Sequence, residues 1–177
     1  GNSPVLRKGT LVLVDRDPEV LETMGKLARR VFDHADVNTG LECHTDVADA
    51  VGGADFVVTT FSDRNTHFRG LDTKIAAKYG VHMCSADTIG PGGIFRALRE
   101  IPHALEMARE IEAKAPDAWV VNFVNPATVL GIAFEKHTSL RSFAICDGPH
   151  EPGITLRTLK RAGLLPDEAT AVPPEMA

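Results

Sequence analysis

LVLVDRDPEVLE, residues 11–22, decides the fold because it contains a buried strand followed at once by the start of a helix. LVLVD (11–15) is an apolar run closed by an acid, which is typical of a strand covered on both faces. Asp17, Pro18 and Glu19 then supply an N-cap, a first-turn proline and an early acid, so a helix is predicted to about Phe32. Such a strand–helix unit is the building block of a parallel α/β sheet.

The alternation of strand and helix continues along the chain. Four more strands are predicted, at LECHTD (41–46), DFVVTT (55–60), WVVNF (119–123) and SFAICD (142–147). Helices are predicted over 46–51, near 68–79, over 93–115, over 126–136 and from 152 to 162. Pro102 predicts a kink in the helix over 93–115, or two helices that meet there. The whole pattern predicts an α/β fold with a doubly wound, mainly parallel sheet.

Composition and charge exclude several classes of function. The formal net charge is −5 and the basic clusters are short, so no nucleic acid partner is expected. No apolar run approaches the roughly 20 residues of a membrane span and no charged-then-apolar leader opens the chain, so a cytoplasmic protein without membrane contact is expected. The three cysteines are far apart, which argues against a disulfide framework and a structural zinc site.

Polar residues that follow the predicted strands are the candidate site residues, because ligands bind beyond the carboxyl ends of parallel strands. Asp15 ends the first strand, where an acid either hydrogen-bonds a ribose hydroxyl or serves the start of the next helix. Asn125 stands before a proline and is predicted first as a helix cap, with binding of sugar hydroxyls as the alternative. Cys146, Asp147 and His150 suit metal binding, proton transfer or a structural role.

The glycine-rich turn GPGG (90–93) is a candidate phosphate-binding loop. Its glycines permit conformations and close approaches that a Cβ would forbid. The turn lacks both the G-x-G-x-x-G spacing of a dinucleotide fingerprint and the G-K-[ST] ending of a P-loop. The residues therefore favour a bend before a helix over a phosphate site.

Five stretches carry a family resemblance: LVLVDRDPEVLE, GADFVVTT, KYGVHMCSADTIGPGGIFRALREIP, PDAWVVNFVNP and AICDGP. Together and in this order they resemble the family 4 glycoside hydrolases, which depend on a nicotinamide cofactor and a metal. The block DTIGPGGIFRALREIP followed by NFVNP is the most specific part of the match. The resemblance implies a Rossmann-like nucleotide-binding domain over residues 1–165, followed by a loose tail over 166–177.

The resemblance further implies NAD and Mn²⁺ as cofactors, a small-molecule glycoside as substrate, and a redox-assisted elimination. In such a reaction the sugar is oxidised at C3, the C2 proton is removed, the glycosidic oxygen leaves, water adds and the hydride returns, with the metal as Lewis acid. Matched residue by residue, the motifs imply that Asp15 binds the ribose, Cys146 binds the metal and Asp147 is the catalytic general acid. They imply that Asn125 and Asp87 bind the substrate. The GPGG turn then brings the chain close to the nicotinamide and the sugar while it orients Asp87.

Parts of the family pattern are missing from this sequence. Members carry a strand and a G-x-G-S turn ahead of the strand that corresponds to LVLVD, and in the classical 3-2-1-4-5-6 order that strand lies between LVLVD and DFVVTT. These two strands are therefore expected either to pair directly or to take a strand of another chain between them. A histidine metal ligand, a tyrosine base and the substrate half of the family would follow Ala177, so the chain is expected to be incomplete as a catalyst.

Two further expectations concern assembly and function. Apolar faces that lack their usual cover predict a homo-oligomer. A non-catalytic Rossmann-like scaffold or small-ligand-binding module is the alternative function, because a fold does not by itself fix an activity. The stretch SDRNTH (62–67) replaces the arginine and glycines of phosphate-recognising relatives, so a phosphorylated sugar is not supported by this stretch, and Arg64 as a displaced replacement is the alternative.

Overall fold

The computed structural model describes residues 8–62, 64–83, 88–146 and 152–173, with the side chain of Pro152 excepted. Its strands are β1 Thr10–Val14, β2 Gly40–His44, β3 Phe56–Thr59, β4 Trp119–Asn122 and β5 Arg141–Ala144. Its helices are α1 Pro18–His34, α2 Val47–Ala50, α3 Asn65–Ala77, α4 Gly90–Lys114, α5 Ala127–His137 and α6 Pro152–Arg161. All the predicted strands and helices are present, with bounds that differ by a few residues.

The strands form two parallel pieces of sheet. β1 pairs with β2, from Thr10 opposite Gly40 to Val14 opposite His44. β4 lies between β3 and β5 and is parallel to both. Within the described residues β1 and β3 do not pair, so of the two expected arrangements the direct pairing of LVLVD with DFVVTT is wrong. β1 pairs with β2, and β3 pairs with β4. Helix α2 contacts β1, β2 and α4, and so connects the two pieces although β1 and β3 are not paired with each other.

The three-stranded piece has one buried face and one exposed face. Alternate side chains of a strand point to opposite faces, and those of Val120 and Asn122 are fully buried. They border the main apolar core, whose buried members are Val51, Ala104, Ala108, Ile111, Ala115, Ala118, Val120, Val124, Leu130, Phe134 and Leu140. On the opposite face, Phe56, Trp119 and Phe143 are 62%, 41% and 46% exposed. Among the described residues, helices therefore cover this piece on one face, whereas a doubly wound sheet is covered on both.

The two-stranded piece is covered by α1, which begins where the sequence predicts. Asp17 is the N-cap, and its Oδ1 accepts hydrogen bonds from the backbone N–H groups of Glu19 at 2.9 Å and Val20 at 3.3 Å. The helix packs on both β1 and β2. Leu21 is the buried residue of α1. Four other apolar side chains of this helix are about half exposed: Val20, Met24, Leu27 and Val31. This piece therefore has a thinner core than the other.

Helix α4 crosses the core and contains Pro102. It runs without interruption from Gly90 to Lys114, so of the two expected arrangements at Pro102, the one with two helices that meet there is wrong. The proline removes one backbone hydrogen bond, but the buried residues Ala104 and Ala108 beyond it remain packed in the core and keep one helix. Neither α4 nor any other helix in the described ranges is long and apolar enough to cross a membrane.

Candidate functional site

Three of the predicted site residues follow the carboxyl ends of strands. Asp15 comes directly after β1, Asn125 follows β4 and Cys146 follows β5. Because β4 and β5 are parallel neighbours, Asn125 and Cys146 lie at the same edge of the three-stranded piece. Asp15 occupies the corresponding edge of the two-stranded piece. This is the edge at which parallel α/β sheets bind ligands.

Asp15 presents an exposed carboxylate at the end of β1. Its backbone N–H donates to the carbonyl oxygen of His44 at 3.3 Å, which extends the pairing of β1 with β2 by one residue. Its Oδ1 accepts a hydrogen bond from the backbone N–H of Asp17 at 2.9 Å, and this contact orders the turn into α1. Asp15 therefore helps to start the helix while its carboxylate remains accessible to a ligand.

The amide that is held in place after β4 belongs to Asn122. Its Oδ1 accepts hydrogen bonds from Thr59 Oγ1 at 2.9 Å and from the Val124 N–H at 3.3 Å, and its Nδ2 donates to the Val124 carbonyl at 3.0 Å. The side chain is fully buried. These bonds join the end of β3 to the end of β4 and fix the turn that leads to α5.

Asn125 does not cap α5. The helix begins at Ala127 with Pro126 in the N-cap position, and no side-chain hydrogen bond caps it. The predicted capping role of Asn125 is therefore wrong, because Asn125 lies one residue too early in the chain to take the N-cap position. Its side chain is half-buried at the carboxyl edge of β4.

Cys146 carries an exposed thiol after β5. Asp147 and His150, predicted beside it, lie outside the described residues. Within the part of the chain that the structure describes, no group of three or more His, Cys, Asp and Glu side chains is arranged to hold a metal ion. Of the predicted metal ligands, Cys146 is thus the one whose position the structure gives.

The GPGG turn forms the first turn of α4. Gly90 adopts a φ of +69°, and a Cβ on Gly93 would lie 2.4 Å from the carbonyl oxygen of Thr88. The close approach that the glycines permit is therefore between the helix start and the chain just before it. GPGG thus lies inside the helix rather than before it, and Asp87 lies outside the described residues.

The sequence analysis missed a group of charged residues between α3 and α4, which we name the α3–α4 charge cluster: Arg64, Asp72, Arg96, Arg99 and Glu100. Asp72 is buried and binds the Arg99 guanidinium through two N–O contacts of 2.7 and 3.2 Å. The guanidinium carbons of Arg99 and Arg64 lie 4.8 and 5.0 Å from the centre of the Phe68 ring. The available signal was the spacing of the three α4 members by three and four residues, which places them on one side of a helix.

A cavity of about 400 Å³ lies between α5 and β5, away from the predicted site residues. Its lining includes Thr128, Glu135 and Ser139. None of Asp15, Asn125 and Cys146 lines it, so we do not assign the candidate site to this cavity.

Solved structures with a similar fold include glycosidases in complex with NAD. A 6-phospho-alpha-glucosidase from gut microorganisms, in complex with NAD and Mn²⁺, is 25% identical with a TM-score of 0.69, and the match covers 87% of this chain and 35% of that chain. A 6-phospho-beta glucosidase from Thermotoga maritima, with manganese, NAD⁺ and glucose-6-phosphate, has a TM-score of 0.74 at 20% identity and is matched over 89% of this chain and 37% of that chain. The second likeness shows the fold alone. The predicted Rossmann-like, mainly parallel α/β fold is confirmed.

Curated relatives agree with this comparison. A 6-phospho-beta-glucosidase of Escherichia coli (strain K12) is 34% identical over 140 residues, which are 78% of this chain and 31% of that protein. An alpha-galacturonidase of Thermoanaerobacter italicus (strain DSM 9252 / Ab9) is 31% identical over 158 residues, or 87% of this chain and 33% of that protein. The chain thus spans about a third of the length of the curated relatives that it matches. The sequence model described as "Family 4 glycosyl hydrolase" matches residues 2–161, and the chain belongs to that family.

Proposed function

We propose that this chain forms the nicotinamide-binding part of a glycosidase that cleaves small-molecule glycosides by NAD-dependent oxidation and elimination. The observation that carries the proposal is the position of Asp15, Asn125 and Cys146 after β1, β4 and β5, each of which pairs in parallel within its own piece of sheet. An acid, an amide and a thiol at those ends suit a ribose, a sugar hydroxyl and a metal ion respectively. Family membership and the NAD and Mn²⁺ of a structural neighbour support the same assignment.

Asp15 is the residue that we assign to NAD. An exposed carboxylate after a parallel strand is suited to accept hydrogen bonds from the hydroxyls of a ribose. The contact of its Oδ1 with the Asp17 N–H supports this role, because it restricts the orientation of the carboxylate before the ligand arrives. The charge of Asp15 also disfavours a cofactor with a phosphate at the same ribose position, so we expect NAD rather than NADP.

When bound, NAD and a divalent metal ion such as Mn²⁺ supply a hydride acceptor and a Lewis acid for oxidation of the sugar at C3, elimination of the glycosidic oxygen after loss of the C2 proton, addition of water and return of the hydride. Around that chemistry, we assign Asn125 and Asp87 to the sugar hydroxyls, because an amide and a carboxylate together donate and accept hydrogen bonds. We assign Asp147 as the general acid that protonates the departing glycosidic oxygen.

Cys146 is the residue that we assign to the metal ion. Mn²⁺ favours oxygen ligands, so a single thiolate needs oxygen or nitrogen donors beside it. The described residues hold no such set, and we infer that the other donors come from the sugar, from water or from residues outside the described ranges.

Hydrolysis in D₂O tests the proposed reaction, with the protein that contains this chain, NAD, Mn²⁺ and a nitrophenyl glycoside. Removal of the C2 proton and later addition of solvent predict one deuterium at C2 of the released sugar, detected by NMR. We expect Cys146→Ala to remove the Mn²⁺-dependent activity, whereas the control Cys43→Ala, at an exposed thiol in β2, retains it. Product that carries only hydrogen at C2 would show direct displacement and overturn the mechanism.

A non-catalytic scaffold is the second candidate, and the separation of the sheet into two pieces with exposed apolar side chains favours it. The same exposure leads us to propose that the chain forms a homo-oligomer, because contiguous apolar faces on soluble proteins usually mark interfaces. Isothermal titration with Mn²⁺ and simple sugars separates the candidates, since a scaffold gives no heat with either. Sedimentation as a monomer at all concentrations would contradict self-association.

A further inference from the structure

The α3–α4 charge cluster contains a buried acid that the proposed reaction does not use. Glu100 of α4 is 2% exposed. Its Oε1 accepts a hydrogen bond from Ser62 Oγ at 3.1 Å, and Ser62 belongs to the loop that connects β3 with α3. Its Oε2 is buried and has no hydrogen-bond partner among the described residues. The hydrogen bond between Ser62 and Glu100 therefore fixes the position of Ser62 at the carboxyl edge of the sheet, although only one of the two Glu100 oxygens has a hydrogen-bond partner among the described residues.

The charges around Glu100 come from α3 and from α4 itself. Arg96 is the nearest cation, with its Nε 3.7 Å from Glu100 Oε1. Arg99 lies on the same side of α4 but is bound by Asp72 of α3 through two N–O contacts. Among the described residues, His103 of α4 also acts on Glu100, and Arg64 stacks on Phe68 at the start of α3.

The charge state of Glu100 follows from these contacts. An ionised carboxylate needs donors for both oxygens, and a buried oxygen without one carries a high desolvation cost. Burial raises the pKa of the Glu100 carboxyl above its ordinary value. The hydrogen bond from Ser62 and the charges of neighbouring side chains lower that pKa by less; these neighbours are Arg96, His103 and Arg99. The neutral acid is thus the form that suits the closed contact.

We propose that Glu100 is a proton-linked positioning residue, which as the neutral acid holds Ser62, after the end of β3, against α4 and as the carboxylate opens that contact to water. The proton passes to solvent on opening and returns from it on closing. Once ionised, Oε2 must gain a donor, and either Arg96 moves toward it or water enters between the helices. The loop that carries Ser62 then loses its fixed position. An effect on NAD or sugar binding would rest on the function proposed above, but the proton-linked contact itself does not.

The experiment compares the free energies of unfolding of the wild type, Glu100→Gln and Glu106→Gln from pH 4 to pH 8. Glutamine resembles the neutral acid, and Glu106 is an exposed acid of the same helix. Because the pKa of Glu100 is raised on folding, its favourable contribution is complete below its unfolded pKa and is lost as the pH rises through the folded pKa. Glu100→Gln should therefore match the wild type near pH 4 and gain on it at higher pH.

Between the unfolded and the folded pKa of Glu100, the ratio of the unfolding constants of the wild type and Glu100→Gln should change by up to about tenfold per pH unit. The Glu106→Gln difference should stay flat. The proposal is overturned if the difference in free energy of unfolding between Glu100→Gln and the wild type does not change with pH, or if it shifts in favour of the wild type as the pH rises. If Glu100→Gln fails to fold, carboxyl-carbon NMR of the wild type decides: Glu100 must titrate above the exposed glutamates, and a normal titration refutes it. No cofactor or glycoside is present, so this result is independent of the proposed enzyme function.

Discussion

The two pieces of the sheet are built from similar sequences but are buried very differently. β1 contains LVLV and β4 contains WVVN, and both read as strands within a covered sheet. Val120 in β4 is fully buried under α4 and α5, whereas Leu11 and Val14 in β1 are 39% and 40% exposed. The difference lies in their neighbours: β4 has a paired strand on each side, and β1 has one on a single side within the described residues.

A hydrophobic pattern is commonly taken to predict both that a strand forms and that it is buried, and β1 and β4 show that the two properties are separate. An apolar run predicts that a strand forms, because pleated backbone and β-branched side chains favour it. Burial requires layers from distant parts of a chain: one face of β4 lies under such a layer, whereas the layer over β1 is thin. The stability of this protein should therefore reside in the β3–β5 piece, and the β1–β2 piece should contribute less to it.

The same substitution in the two pieces gives the largest contrast. Leu130→Ala in α5 removes a fully buried side chain from the main core and should lower the free energy of unfolding by about 2–5 kcal/mol. Leu27→Ala in α1 removes a side chain that is 49% exposed and should cost less than about 1 kcal/mol. Urea unfolding of both variants measures the two values. Equal losses would mean that α1 is as well packed as α5 and would remove the distinction.

A smaller contrast is expected for polar side chains. Asn122→Ala leaves the Thr59 hydroxyl and the Val124 backbone without their buried partners and should cost about 2 kcal/mol. Asn38→Ala, at an exposed position before β2, should change the stability by less than about 0.5 kcal/mol. The same urea titration serves for both variants. A loss below about 1 kcal/mol for Asn122→Ala would show that these hydrogen bonds do not stabilise the ends of β3 and β4.

Local signals in the sequence predicted the elements best. Asp17, Pro18 and Glu19 placed the start of α1, and the structure has that cap. The start of α3 was predicted three residues too late, because its N-cap is Arg64, which has a φ of +39° and no side-chain cap bond. No residue type signals such a start. Asn125 was assigned as a cap for the opposite reason, since a residue that often caps helices stands just outside one.

The candidate site was predictable only where a residue follows its own strand. Asp15 and Cys146 could be identified because the end of a strand is visible in the sequence. Glu100 could not, because its partner Ser62 is 38 residues away and the pair forms only when α4 packs beside the β3–α3 loop. The edges of β1 and β3 that have no paired strand within the described ranges were likewise not fixed by local sequence, since pairing depends on which strand lies between them.

Titration of the protein that contains this chain with NAD, by isothermal calorimetry, tests the central claim most directly. Three proteins are compared: the wild type, Asp15→Asn, and Asp117→Asn, which removes the same charge at the opposite edge of the sheet. The account predicts that NAD binds the wild type, that Asp15→Asn weakens binding by about tenfold or more through loss of a charged hydrogen bond, and that Asp117→Asn binds normally. Absence of NAD binding, or equal affinity for all three proteins, would contradict it and leave the scaffold as the better function.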